Sequence, residues 1–142
     1  MLRYLIWEEQ YRTLNDETKD RKFDLEDRLI EFGVGIVELV EELPNSKAGN
    51  YIAGQLIRSG LSPALNYGEA QSAESRSDFI HKIKVVLKEL RESSISLKII
   101  KRLALIKPTE RIDPLMDEAN QLIAIFVKSI ATAQRNKTKK SP

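Results

Sequence analysis

The sequence predicts an all-α protein: an antiparallel up-down-up-down four-helix bundle with an extra helix or arm at its N-terminus. Three observations carry this expectation. Apolar residues recur at helical spacing through most of the chain, and no segment sustains the period-two alternation of a half-buried strand. Pro44, Pro108 and Pro114 punctuate the ends of the periodic segments. The stretches between segments are short, as antiparallel neighbours require.

The first helix starts at Asp24, which can cap its free N–H groups, and Glu26 and Asp27 favour the positive end of the helix dipole. Leu25, Leu29, Phe32, Ile36, Leu39, Val40 and Leu43 fall on one stripe, and Pro44 stops it. The second helix runs from Ser46 or Lys47 to Ala73. Ile52, Leu56, Gly60, Pro63, Ala64 and Tyr67 share one broad face, with Arg58, Ser62, Glu69 and Arg76 on the other side. Pro63 has no N–H and its ring crowds the carbonyl of Ser59, so a kink near Gly60–Pro63 is expected, with a full break as the alternative.

The third helix opens with a capping signature, Ser75-x-x-Asp78, although Ser77 could serve equally. Phe79, Ile83, Val86, Leu87, Leu90, Ser94, Leu97 and Ala104 trace its core stripe down to Ile106, and Pro108 ends it. Ile95, Ile99, Leu103 and Ile106 form another stripe, more apolar surface than one bundle core requires, which implies a further packing partner. Asp113 as cap and Pro114 as first helical residue start the fourth helix, whose stripe is Leu115, Ala119, Leu122, Ile123, Phe126, Ile130 and Ala133.

These segments divide the chain into an arm or helix over 1–22, a bundle over 23–135 and a basic, frayed tail over 136–142. In the arm, Leu2, Leu5, Ile6, Trp7, Tyr11 and Leu14 form no single stripe. Trp7 needs burial, which the spare stripe of the third helix or a neighbouring subunit would provide.

Composition narrows the classes. At 142 residues, 42% hydrophobic and 31% charged, the chain is long enough for one real core and is not of a disordered type. No run approaches the roughly 18–20 apolar residues of a membrane span. Met1 to Trp7 lack the apolar stretch of a secretory signal, so a cytoplasmic location is expected. The absence of cysteine excludes disulfides and thiolate zinc sites. The net charge is +2, but four of the 23 basic residues (Arg135, Lys137, Lys139 and Lys140) stand in the tail. The remaining 19 face 21 acidic residues, so the body is slightly acidic, and any affinity for polyanions must come from the tail or from one face.

The stretch LIRSGLSPALNYGEAQSAESRSDFIHK, Leu56 to Lys82, sets Arg58, Ser59, Ser62, Asn66, Glu69, Ser75, Asp78 and His81 in one long pattern. Lys88-Glu89-Leu90-Arg91-Glu92 and Ile125-Phe126-Val127-Lys128-Ser129 follow it. On these residues the chain resembles the bacterial four helix bundle protein family, whose founding members are encoded in intervening sequences of 23S ribosomal RNA genes. The resemblance covers roughly Phe23 to Arg135. The segment before Phe23 is longer than the family's, and nothing is carried onto it. The resemblance implies a left-handed antiparallel four-helix bundle that assembles into a homopentamer, and no known catalytic activity. It also implies association with nucleic acid, by analogy of fold and assembly with a basic pentamer that serves a reverse transcriptase in diversity-generating retroelements.

Three groups of residues are candidate sites. Arg58 and Glu69 lie about 16 Å apart along the second helix and cannot pair with each other. Read from the residues alone, Arg58, Ser62, Asn66 and Glu69 form a solvated face; as family-pattern residues they are expected to make polar contacts between helices or subunits. Next, Lys84, Lys88, Arg91, Lys98 and Arg102 make a basic stripe on the third helix. It reads as a solvated face with a few ion pairs, as a phosphate-binding track, or as an interface. No aromatic interleaves it to stack bases. In the interface reading, it meets the acidic face of a neighbour's first helix, where Asp24, Glu26, Asp27, Glu31, Glu38, Glu41 and Glu42 stand against Arg28 alone. The third group is the basic tail, Arg135, Lys137, Lys139 and Lys140.

His81, the single histidine, has no ligand partner at metal spacing, and no serine stands beside a base and its orienter. The expected function is therefore a non-enzymatic homo-oligomeric scaffold or adaptor, without cofactor or metal, whose partners are further copies of itself and RNA or DNA held through phosphates. The alternative is a protein-binding module that docks its partner in the groove beside Ile99 and Leu103.

Overall fold

The periodic segments become four long helices in the computed structural model, which describes residues 24–139, with side chains as far as Asn136. They are α1 (Leu25–Val40), α2 (Lys47–Gln71), α3 (Arg76–Arg102) and α4 (Asp113–Lys139), with a 3-10 turn at Thr109–Ile112 before α4 and no strand among the described residues. The arm over 1–22 with Trp7, and residues 140–142, lie outside the described residues. None of the described helices is long and apolar enough to cross a membrane.

Three starts are fixed by side-chain caps. Asp24 accepts from the Asp27 N–H at 2.7 Å, Ser46 from Gly49 at 3.0 Å and Ser75 from Asp78 at 3.0 Å. Ser75, not Ser77, is thus the cap of α3. The start of α4 differs from expectation. Asp113 has helical angles (φ −56°, ψ −42°) and follows the 3-10 turn, so it is inside the helix and is not its cap. Its carboxylate is taken instead by Lys101 of α3 at 2.5 Å.

The end of α3 differs too. The helix stops at Arg102, ahead of Ile106 and Pro108, because Ala104 adopts a left-handed conformation at φ 50°. The Leu105 N–H then bonds back to the Ile100 carbonyl, closing the helix end. This reversal turns Ile106 into the core, where it is 3% exposed, and separates it from Ile95, Ile99 and Leu103. In α2, by contrast, Pro63 is accommodated in one continuous helix, without the break.

Each helix packs on its neighbours in sequence, and α4 returns to touch α1. The stripes fill the space between them: Leu29, Phe32, Ile36, Leu56, Ile83, Leu90, Leu97, Leu122 and Phe126 are fully buried, and such side chains contribute roughly 1.5–3 kcal/mol each. Tyr67 of α2 meets Phe126 of α4 edge-on, with ring centroids 6.0 Å apart. α2 packs tightly on α1 at Gly60, where an added Cβ would lie 2.6 Å from Ile36 Cγ2.

Candidate functional site

α2 and α3 meet along a polar seam. Glu89 and Ser93 lie on the buried side of α3, among the apolar residues of its stripe. A carboxylate there needs a partner. Arg58 of α2 provides it: its Nη1 donates to both Glu89 oxygens at 3.1 and 2.9 Å, and its Nη2 donates to Glu92 at 2.6 Å. These hydrogen bonds hold the Glu92 carboxyl below its ordinary value and push the Arg58 guanidinium up. One turn on, the Ser93 hydroxyl donates to Ser59 at 2.9 Å, both residues buried. At the far end of the seam Lys82 donates to Glu69 at 2.6 Å, which raises the lysine's pKa.

Arg58 and Glu69 therefore clip α2 to α3. Ser62 and Asn66 do something else: the Asn66 amide donates to the Ser62 hydroxyl at 2.8 Å and to the Ser62 carbonyl at 3.0 Å, within α2.

Above Arg58 the seam opens into a groove of about 750 Å³ between α2 and α3. Lys84, Lys88 and Arg91 line it together with Tyr51, Ile95 and Ile99. Lys98 and Arg102 are exposed on the same helix but outside the groove lining. None of these five cations forms an ion pair with a described residue. Apolar members stand open as well: Tyr51 is 70% exposed, Ile95 55% and Ile99 44%.

A second groove, about 400 Å³, lies between α1 and α2. Its lining includes Ile30, Val34, Leu61 and Leu65, and its single charged member is Glu38. Asp27 and Glu31 are exposed on α1, and Glu41 is exposed just past its end. Arg28, the cation of α1, is turned inward to pair with Glu118 of α4 and does not offset them. α2 thus forms one wall of both grooves.

In the last helix Arg135 is exposed and donates to Thr132 at 3.3 Å. The backbone of α4 continues through Lys137 to Lys139, whose side chains, like Lys140, lie outside the described residues. His81 is exposed, and no group of metal-ligating side chains occurs among the described residues.

The sequence reading passed over Glu89 and Glu92 as partners of Arg58, Tyr51 on the groove rim, and the apolar residues of the α1–α2 patch. Glu89 did carry a signal, since a carboxylate one residue before Leu90 interrupts a buried stripe. Tyr51 carried none, because it reaches the stripe from a different helix. Chemically, the seam is spent on holding two helices together, whereas the groove cations are paired with no described residue.

No curated relative matches the chain. Among solved structures it is similar to a protein of unknown function from the S23 ribosomal protein family of Bacteroides thetaiotaomicron VPI-5482. The two are 31% identical with a TM-score of 0.68, and the match covers 74% of this chain and 96% of that one. The model of the 23S rRNA-intervening sequence protein family matches residues 21–128, which takes in α1, α2, the Arg58 seam, both grooves and most of α4. With that match running through every element that builds the two grooves, the chain belongs to the 23S rRNA-intervening sequence protein family.

Proposed function

We propose that this protein is a non-enzymatic homo-oligomeric scaffold or adaptor that engages nucleic acid through its phosphates. The observation that carries the reading is the state of the basic stripe: Lys84, Lys88, Arg91, Lys98 and Arg102 are all exposed and unpaired with any described residue, on a chain whose body is slightly acidic overall. A linear row of such cations binds a polyanion by releasing its counterions. The up-down-up-down antiparallel course is supported by the cross-helix pairs, since Arg58 with Glu89 and Glu69 with Lys82 run in opposite senses along α2 and α3. Five copies is the number implied by the family resemblance, and a cytoplasmic location is in keeping with the sequence.

The test is fluorescence anisotropy with a labelled RNA or DNA oligonucleotide over a salt series. Charge reversal at Lys98 and Arg102 is expected to lower affinity at least tenfold and to flatten the salt slope by about one for each phosphate left without its cation. Assembly mass should stay as it was. An affinity unmoved by both substitutions and by salt overturns the nucleic-acid reading.

One observation favours a second reading, a protein partner. Ile95, Ile99 and Leu103 stand 55%, 44% and 56% exposed along the same face, and apolar surface of this kind does not serve phosphate binding.

A further inference from the structure

We infer that the groove between α2 and α3 receives the α1–α2 patch of a second copy, so that subunits join head to tail. The inference rests on the homo-oligomeric part of the reading above and names the surfaces. Two exposed apolar patches lie on either side of α2, one with a net negative and the other with a net positive lining. The donor patch, centred on Ile30, Val34 and Leu65, has Glu38 in its lining and further exposed carboxylates on α1. The acceptor groove, centred on Ile95 and Ile99, has Lys84, Lys88 and Arg91 in its walls.

Among the described residues neither charge is cancelled, although Glu42, just past α1, pairs with Arg111. Arg28 points to α4, and Glu92 in the groove lining and Glu89 beside it are held by Arg58. α1 packs on α2 and α4, whereas α3 lies across the molecule, packed on the same two helices, so the acidic and basic faces meet only between copies. Each patch faces a surface of opposite sign and like polarity in the next copy but of its own sign in a face-to-face contact, which sets the head-to-tail sense. Such a contact uses Lys84, Lys88 and Arg91 and leaves Lys98 and Arg102 to phosphate.

The experiment uses two surface variants of the full chain, Val34→Arg and Ile95→Glu, with mass read by light scattering and folding by far-ultraviolet circular dichroism. The wild type is expected well above its 16.2 kDa monomer mass, and each variant alone at the monomer mass with its helical signal intact. Mixed, the two should give a 1:1 complex of twice the monomer mass, because each retains the face that the other lacks. A wild type at the monomer mass removes the oligomeric reading itself. A wild-type assembly whose mass survives either substitution, a single variant that dimerises alone, or a mixture that stays monomeric overturns the head-to-tail contact while leaving oligomerisation standing. Should either variant lose helical signal, Glu38→Lys and Lys88→Glu, which change only charges on the two faces, take their place with the same expected outcomes.

Discussion

Arg58 holds two carboxylates that differ in their surroundings, Glu89 at 8% side-chain exposure and Glu92 at 40%. The Glu92 carboxyl is lowered from its ordinary 4.5, chiefly by the Arg58 hydrogen bond. A carboxylate with a depressed folded pKa contributes stability that is complete above the ordinary value and is lost as pH falls through the depressed one. Glu92→Gln should therefore lower the urea midpoint at neutral pH. Its difference from wild type should shrink once pH drops below 4.5, as the wild-type carboxylate protonates. A difference that stays constant with pH would mean that the charge of Glu92 contributes nothing. At this scale the sequence was half legible. Arg58 and Glu69 stood out as polar residues on a bundle helix, yet their partners on α3 sit 31 and 13 residues away, and only the packing of one helix on the other pairs them.

The elements were readable wherever a local rule governs them. Stripe, cap and proline positions gave four helices because burial and orphaned N–H groups act over a turn or two. They put the α3 end too late and made Asp113 a cap, because both points are settled by other means. Ala104 takes a left-handed angle usually left to glycine, and Asp113 is drawn to Lys101 at the end of the preceding helix. Close approach between helices is equally hidden. Gly60→Ala would press a methyl group to within 2.6–2.9 Å of three Ile36 atoms, and its expected cost is about 1–3 kcal/mol. Gly54→Ala on the same helix meets nothing within 4 Å and should stabilise by about 0.5–1 kcal/mol through helix propensity alone. Chemical denaturation of both variants checks the pair, and equal effects would contradict the close approach at Gly60.

For the whole molecule, a subunit that joins others through charged, apolar faces shares its stability with the assembly. The thermal midpoint is expected to rise with protein concentration at low salt, and the dependence to weaken in molar salt. A midpoint indifferent to concentration would count against assembly as a source of stability. The acidic first helix pointed to such a contact in the sequence, and so did the spare apolar stripe of the third helix. Its counterpart on α1 and α2 went unread because Ile30 and Val34 sit among acids and look like ordinary surface until the helices are placed side by side.

α2 is a wall of both grooves, and this gives the two faces a corner in common. Faces set back to back would add copies along a straight line without end, as a filament. Faces that meet at a corner turn the growing row at every step, always in the same direction. A right-angled corner brings the row home after about four copies and a slightly more open one after about five, with any tilt along the axis small enough to be absorbed. In the head-to-tail contact proposed above, the width of one shared helix would act as a counter, limiting how many copies join before the first and last meet.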